Sequence, residues 1–237
     1  FIFSEGMKIS IIHPTRGRKQ QALNTCAKWM RYADNPWAIE YIFSIDTDDK
    51  DILQPLVIMI PKLESNREVH LQVIKNNNHS AIEAINNAAK IATGDLLVVI
   101  SDDMTCEEHW DTLLLAAVKG KEDFLLKTAD GLQKTLLTLT IMDRKYYERF
   151  GYVYHPDYSH MFADQELTAV AIMTGKYVKL PLLFEHLHYS TGKTPKDVIN
   201  SKNDSTWQQG ERLFNERLKT NFGITEPVIA YTDIKWR

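Results

Sequence analysis

Two cysteines, ten glycines and no apolar run longer than a few residues characterise this chain of 237 residues by what it lacks. Cys26 and Cys106 are too few for a disulfide framework, and each falls in a segment read as helix, so a pair of buried thiols in a cytoplasmic protein is expected. Apolar stretches such as Leu96–Ile100 and Leu180–Phe184 fall well short of the ~20 residues that cross a bilayer, so no membrane span is expected. With a net charge of -3 there is no basic coat for nucleic acid, which leaves only a local groove for such a partner. Phe1–Gly6 precede Met7 without a basic start or an apolar run, so they are read as a remnant or a mobile end rather than a signal peptide. What is present, 44% hydrophobic and 25% charged residues, suits a globular enzyme with a sizeable core.

The pattern along the chain alternates. Lys8–His13 is a β-branched run closed by Pro14, and Lys19–Tyr32 carries Leu23, Ala27 and Met30 at helical spacing. Glu40–Ile45 and His70–Ile74 are further short strands, ending on Asp46, Asp48 and Asp49 and on Asn76–Asn78. Ser80 and Glu83 form a capping-box pattern for a helix marked by Ile82, Ile85, Ala89 and Ala92, with Gly94 as its stop. Then comes ATGDLLVVISDD, residues 92–103, a buried strand ending on adjacent carboxylates. Thr105 and Glu108 suggest a second capping box for a helix buried through Trp110, Leu113, Leu114 and Ala117 and ended by Gly120. Strands separated by helices over the first ~120 residues imply right-handed crossovers and a mostly parallel sheet.

The second half is expected to hold a strand at Thr135–Ile141 and helices at Arg144–Phe150, before Gly151, and Ala163–Thr174, before Gly175. Strands at Tyr177–Leu180 and Leu182–His188 follow. Ser190–Ser205 reads as a mobile polar loop whose KTPK stretch, Lys193–Lys196, could act as a lid. A final amphipathic helix from about Thr206 to Phe222 carries Trp207, Phe214 and Leu218, and both Trp110 and Trp207 are expected in the core. No repeat or linker divides residues 7–237, which are read as one domain.

Carboxylates at the carboxyl end of a strand point into the crevice where open α/β sheets bind ligands. Asp102 and Asp103 have no Lys or Arg close in sequence, so a divalent cation is an economical partner; the alternative is that one of them caps the following helix. Arg16 and Arg18, in the PTRGR loop after the first strand, suit phosphate or ribose, and Asp46 can accept from a base N–H or ribose hydroxyls; as plain loop residues they would be solvated. His186 and His188 alternate onto one strand face with Phe184 and could contact metal or phosphate, or simply pack beneath the polar loop.

Four segments, ISIIHPTRGR, FSIDTDDKD, NNNHSAIEAINNAAKIATGDLLVVISDD and HMFADQEL, occur in the order and spacing of a GT-A fold glycosyltransferase, and the chain resembles the family 2 kind. The resemblance implies an α/β, GT-A (Rossmann-like) mixed, mostly parallel sheet flanked by helices. Residues 7–120 would form the half that binds a nucleotide-sugar donor, UDP-linked by family frequency, and residues 121–237 the acceptor half. It assigns Pro14, Thr15, Arg16, Arg18 and Asp46 to the donor nucleotide. The family's Asp-x-Asp triplet aligns with Ser101, Asp102 and Asp103, so Ser101 replaces the first acid, and Asp103, with Asp102 assisting, would hold Mn²⁺ or Mg²⁺ against the donor diphosphate. His188, or else His186, would complete the shell. Asp164 falls where the family carries the base that deprotonates the acceptor hydroxyl, with Glu166 in reserve, and direct displacement would invert the anomeric centre. A nucleotidyltransferase or a binding module without turnover are the alternatives, and a saccharide or a hydroxymethylated viral DNA base are acceptors compatible with this reading.

Overall fold

The computed structural model describes residues 6–52, 70–225 and 227–236, so Phe1–Glu5, read above as part of an end segment, lie outside the described residues. Strands β1 (Ile9–Thr15), β2 (Ile39–Asp46), β3 (His70–Asn76) and β4 (Leu96–Val99) lie parallel and form one half of the sheet. The other half is built from β5 (Met104–Cys106), β6 (Leu125–Ala129), β7 (Thr140–Asp143) and β8 (Tyr177–His186). The order across the sheet is β3-β2-β1-β4-β7-β6-β8-β5, with β7 antiparallel to both its neighbours and β5 antiparallel to β8. This is the mixed, mostly parallel arrangement expected.

The helices cover both faces, which is why the central strands β1, β2 and β4 are buried at nearly every position rather than alternating. On one face α1 (Lys19–Arg31) and α3 (Trp110–Val118) pack Trp29 and Trp110 against Phe184; the rings of Trp29 and Phe184 stack at 5.4 Å. On the other, α2 (Ala81–Ile91), α4 (Arg144–Phe150), α5 (Ala163–Met173) and α7 (Trp207–Leu218) enclose Ile82, Tyr146, Leu167 and Phe214. Ile11 and Val98 face the first core and Ile12 and Val99 the second.

Ser80 caps α2 as expected: its hydroxyl accepts from Glu83 N at 3.1 Å, while the Glu83 carboxylate accepts from His79 N. Gly94 has a different role from the one expected. The helix ends at Ile91 on an extended Ala92, and Gly94 instead lets the chain lie against β1, where an added Cβ would sit 2.6 Å from Ser10 N and 2.9 Å from the Ile9 carbonyl carbon. Backbone cannot yield there, so Gly94→Ala is expected to cost about 2–3 kcal/mol, as overpacking does; chemical denaturation measures it. Gly151, at φ +71°, ends α4 as anticipated.

Several expectations are corrected. Thr105 does not start a helix: Met104–Cys106 pairs with Phe184–His186, so Cys106 lies in a strand, and α3 begins after His109 in a left-handed conformation at φ +65°. A sheet edge nearly 80 residues downstream outcompetes the local capping pattern. Both thiols are nonetheless buried and unpaired, and burial pushes each up to about 12. The strand expected at Thr135–Ile141 occupies Thr140–Asp143, and β8 runs unbroken through Pro181 as far as His186. Ser190–Ser205 contains a helix, α6 (Val198–Asp204), with a capping box between Asp197 and Asn200. α7 stops at Leu218, and Trp207 at its start is 53% exposed. Among the described residues no helix is long and apolar enough to cross a membrane.

Candidate active site

The carboxyl ends of β1, β2 and β3 meet in one polar cluster. Pro14 and Thr15 end β1 beside Ser44 and Ile45, and the loop that follows aims Arg16 at β2. Its guanidinium bonds Asp46 and grips Asp48 through two contacts at 2.7 and 2.8 Å, Gly17 N donates to Asp49 at 2.6 Å, and Asn78 amide donates to Asp46 at 2.9 Å. Arg18 turns the other way and forks onto Asp197, the cap of α6, at 2.7 and 2.8 Å. That bidentate pair ties the polar segment, read from sequence as a mobile loop, to the first-strand loop. The Thr15 and Ser44 hydroxyls are buried here without hydrogen-bond partners.

The two adjacent acids diverge. Asp102 turns inward: its carboxylate takes His13 Nε2 at 2.9 Å, its carbonyl takes the Thr25 hydroxyl at 2.7 Å, and Arg18 stands 3.9 Å from its other oxygen. His13 is fully buried, stacks on Phe43 at 5.0 Å and contacts the Tyr41 hydroxyl through Nδ1 at 2.6 Å. Asp103 turns outward, accepts from the Ser101 hydroxyl at 2.5 Å and faces His186 Nε2 at 3.3 Å. Burial works to raise the Asp103 carboxyl, but His186, Ser101 and Arg18 outweigh it and hold the group far below the ordinary carboxylate range. Ser101, which breaks the expected triplet, therefore supports the acid that remains.

His188 lies just past β8 with its ring 5.1 Å from that of His186, and its Nδ1 is engaged by the Ser190 hydroxyl at 2.7 Å. Buried His186 Nδ1 has no partner. Among the described residues no three His, Cys, Asp or Glu side chains converge as a finished metal cage. The pair of Asp103 oxygen and His186 nitrogen could supply two ligands to a divalent cation. Asp102 faces away from that pair and supports the turn through His13.

Asp164 enters the site in the first turn of α5, after Phe162 in a left-handed conformation at φ +71°. It is half-buried, and burial lifts its carboxyl to about 6 against the smaller opposing pull of neighbouring backbone N–H groups and His186. His186 thus interacts electrostatically with both Asp103 and Asp164. The turn carrying Asp164 is clamped from behind: Thr206 hydroxyl accepts from Met161 N at 3.2 Å, and Gly210 approaches so closely that an added Cβ would lie 2.2 Å from Met161 O.

Glu166, the reserve base, is corrected. Two residues on, it points into the fold, where Arg217 holds it at 2.7–3.0 Å and Tyr158 donates to it at 2.8 Å. Glu166→Ala leaves Arg217 facing a buried gap and is expected to cost about 3 kcal/mol of stability; urea unfolding checks this.

His13, His160 and Asp197 were not singled out from sequence. His13 had a signal, an imidazole at the end of an otherwise apolar strand. His160 lies four residues before Asp164, and burial, with help from Arg18 and His188 and against the opposing pull of Asp204, lowers it to about 4. Nothing near Asp197 in sequence announces a partner as distant as Arg18.

Known structures share this architecture. A mannosyltransferase from Pyrobaculum calidifontis, solved with GDP-Man and Mn²⁺, superposes with a TM-score of 0.61 at 16% identity, covering 77% of this chain and 57% of that one. GalNAc-T7, solved with UDP, GalNAc and Mn²⁺, gives 0.62 at 14% identity, over 77% of this chain and 44% of the other. TarS of S. aureus, residues 1–349 with UDP, gives 0.60 at 15% identity over 92% and 73%. The chain thus spans about half the length of the first two, and the likeness to all three is one of fold, GT-A. No curated protein sequence matches it. The sequence model of glycosyl transferase family 2, by contrast, matches residues 10–163, from β1 through the acidic turn to the start of α5. That span takes in the loop after β1, the divergent acids and the turn leading to Asp164, and the chain belongs to glycosyl transferase family 2.

Proposed function

We propose that this chain moves a sugar from a nucleoside-diphosphate donor to an acceptor hydroxyl, by in-line displacement with inversion. The observation that carries this reading is the juxtaposition of an ionised outward acid, Asp103, with a half-buried carboxyl, Asp164, raised to about 6, both interacting with His186. A group with that pKa is largely ionised at neutral pH yet basic enough to take a proton from a sugar hydroxyl as it attacks. Asp46 and the β1 loop residues Pro14, Thr15, Arg16 and Arg18 contact the nucleotide. For this, Arg16 or Arg18 exchanges a carboxylate partner for phosphate oxygens, a swap between ligands of like charge and geometry.

Asp103 would hold a divalent cation together with His186, or His188 after its bond to Ser190 breaks, and the donor diphosphate would fill the remaining positions. Such a cation neutralises charge gathering on the leaving diphosphate. Mn²⁺ in the complexes of the mannosyltransferase and GalNAc-T7 supports a divalent ion, and imidazole favours Mn²⁺ over Mg²⁺. Residues 7–120 serve the donor and residues 121–237 the acceptor. The ligands named for those structures, GDP-Man and UDP, leave both guanosine and uridine nucleotides as candidates.

A thermal-shift panel of nucleotide sugars with Mn²⁺ tests the proposal. One donor is expected to raise the midpoint by several degrees and to be hydrolysed slowly to a nucleoside diphosphate. Pyrophosphate release from a nucleoside triphosphate supplied with a sugar phosphate would instead indicate nucleotidyl transfer, and binding without turnover a recognition module.

A further inference from the structure

Residues 188–204 form a strap that leaves the end of β8 at His188 and finishes in α6. No side chain of α6 is buried, and Val198 is 83% exposed, so apolar packing does little to hold it in place. The root of the strap is tied back towards β8 by Lys193 to Glu185 at 2.6 Å and by the Thr194 hydroxyl to Leu187 O at 2.7 Å. Its far end is tied to itself, since Asp204 takes both the Tyr189 hydroxyl at 2.7 Å and the Lys196 ammonium at 2.6 Å. Among the described residues a single hydrogen-bonded pair carries the strap across to the loop after β1: Arg18 on Asp197, through Nε at 2.7 Å and Nη2 at 2.8 Å. The Lys202 ammonium also attracts Asp48, just past β2, at longer range. α6 is thus drawn to the loops after β1 and β2, to which the donor nucleotide is assigned above.

Of the two arginines in that loop, Arg18 is the one placed to answer a diphosphate. Arg16 is shared between Asp46 and Asp48, and both pairs would have to break to free it. The Arg18 side chain is only 13% exposed, stands 3.9 Å from Asp102 and feels the charge of Asp103, the acid assigned to the cation. One partner, Asp197, fills its fork. A carboxylate and a phosphate group present paired oxygens to the same two N–H groups, so they compete for Arg18 and cannot both hold it. The other bond that His188 would break to reach a cation, from the Ser190 hydroxyl to its Nδ1 at 2.7 Å, lies at the root of the same strap.

We propose that the strap is an autoinhibitory latch in which Asp197 occupies, on Arg18, the place of a donor phosphate, so that seating the donor and releasing α6 are one equilibrium. The proposal rests on the transferase reading, which supplies the diphosphate. A latched fraction that excludes the donor weakens its apparent affinity in proportion to the fraction left open. A seven-residue helix with no buried face does not persist once its anchor is lost, because its few hydrogen bonds do not recover the cost of nucleation, so release exposes its amides to solvent.

Asp197→Ser separates the latch from the helix cap. Asp197 also accepts from Asn200 N at 2.8 Å; serine keeps that cap but is too short to fork onto Arg18. Calorimetric titration of the whole chain with Mn²⁺ and UDP, GDP or inorganic pyrophosphate is expected to find at least one of the three bound about threefold more tightly by the variant, the scale of a partly exposed ion pair. Removing a negative charge can tighten any anion site, so hydrogen exchange of residues 198–204 supplies the second readout. In the wild type it should quicken on saturation with that ligand, and in the variant it should be fast without any. Affinity equal or lower in the variant, or wild-type exchange that saturation leaves unchanged or slows, overturns the latch and leaves the transferase reading standing. Failure of all three ligands to bind either protein overturns that reading and the latch with it.

Discussion

Asp164→Asn is expected to lower the rate of sugar transfer about 10³-fold, within the range for loss of a general base, while leaving donor affinity nearly unchanged and the fold as stable as before or more so. The opposite signs for activity and stability follow from one cause. Burial opposes the charged form of this carboxyl and lifts it to about 6, so ionisation costs the folded state something that the unfolded chain, with an ordinary aspartate, does not incur. The penalty is absent below the unfolded value near 4, where both states are protonated. It grows as pH rises through the folded value near 6 and is constant above. Asparagine has the same shape and no charge, so the variant's thermal midpoint should rise relative to wild type between about pH 4 and 6 and keep a constant advantage above, with no difference at pH 3.5. The same ionisation governs turnover: kcat/KM in the wild type should climb tenfold per pH unit below about 6 and level off above. A merely structural Asp164 at the start of α5 would give a flat profile and a variant that loses helix stability. Parallel melting and rate measurements across that pH range separate the two.

Much of the first half of the fold was legible because its signals are local. The β-branched run at Ile9–Ile12, the capping pair Ser80 and Glu83 and the apolar stretch Leu96–Val99 each determine their element within a few residues. Errors fall where a distant partner decides. Thr105 and Glu108 have the spacing of a capping box, yet β8 offers Met104–Cys106 an open edge, and the ladder wins. The segment after Ser190 looks unpatterned because what orders it is Arg18, 179 positions away from Asp197. Trp207 was placed on the correct helix face, seven residues from Phe214, but α7 begins at the rim of the core, so the ring meets Phe162 edge-on at 5.0 Å and stays half exposed. β6 has no clear strand signal in the sequence because its pattern contains a lysine, and only Asp130, supplied by the following turn, makes that burial tolerable.

The site was legible as a set of residues and not as an arrangement. Asp46, Asp103 and Asp164 could be singled out because their segments match the order and spacing of the family, although acids at strand ends and helix starts also serve as caps, as Asp143 and Asp197 do here. Which of two neighbouring acids faces the solvent could not be read, since both sit at the same strand tip and the deciding contact, His13 to Asp102, spans 89 positions. Glu166 shows the same limit: its spacing from Asp164 excludes a shared helix face, but only Arg217 accounts for why a carboxylate is there.

The divergence of Asp102 and Asp103 makes their substitutions separable. Asp103→Ala is expected to abolish stabilisation by any nucleotide sugar with Mn²⁺ and to cut turnover on the order of 10³-fold, the scale of a lost electrostatic contact to a leaving group. Some stability of the metal-free fold is lost as well, because the Asp103 side chain is only 17% exposed and its depressed carboxyl reflects favourable contacts with His186 and Ser101 that alanine removes. Asp102→Ala acts chiefly on the fold. It strips a buried acceptor from His13, whose ring is held by Tyr41 on its other side, and an unsatisfied buried imidazole costs about 1–3 kcal/mol. Calorimetric titration of Mn²⁺ with the matched nucleotide, run beside urea unfolding for both variants, should find affinity abolished in Asp103→Ala at temperatures where that variant is still folded. Asp102→Ala should lose stability first, with affinity falling only as far as the turn loosens. Equal losses of binding in the two would mean that Asp102 swings outward to meet the cation and that His13 holds it only in the ligand-free state.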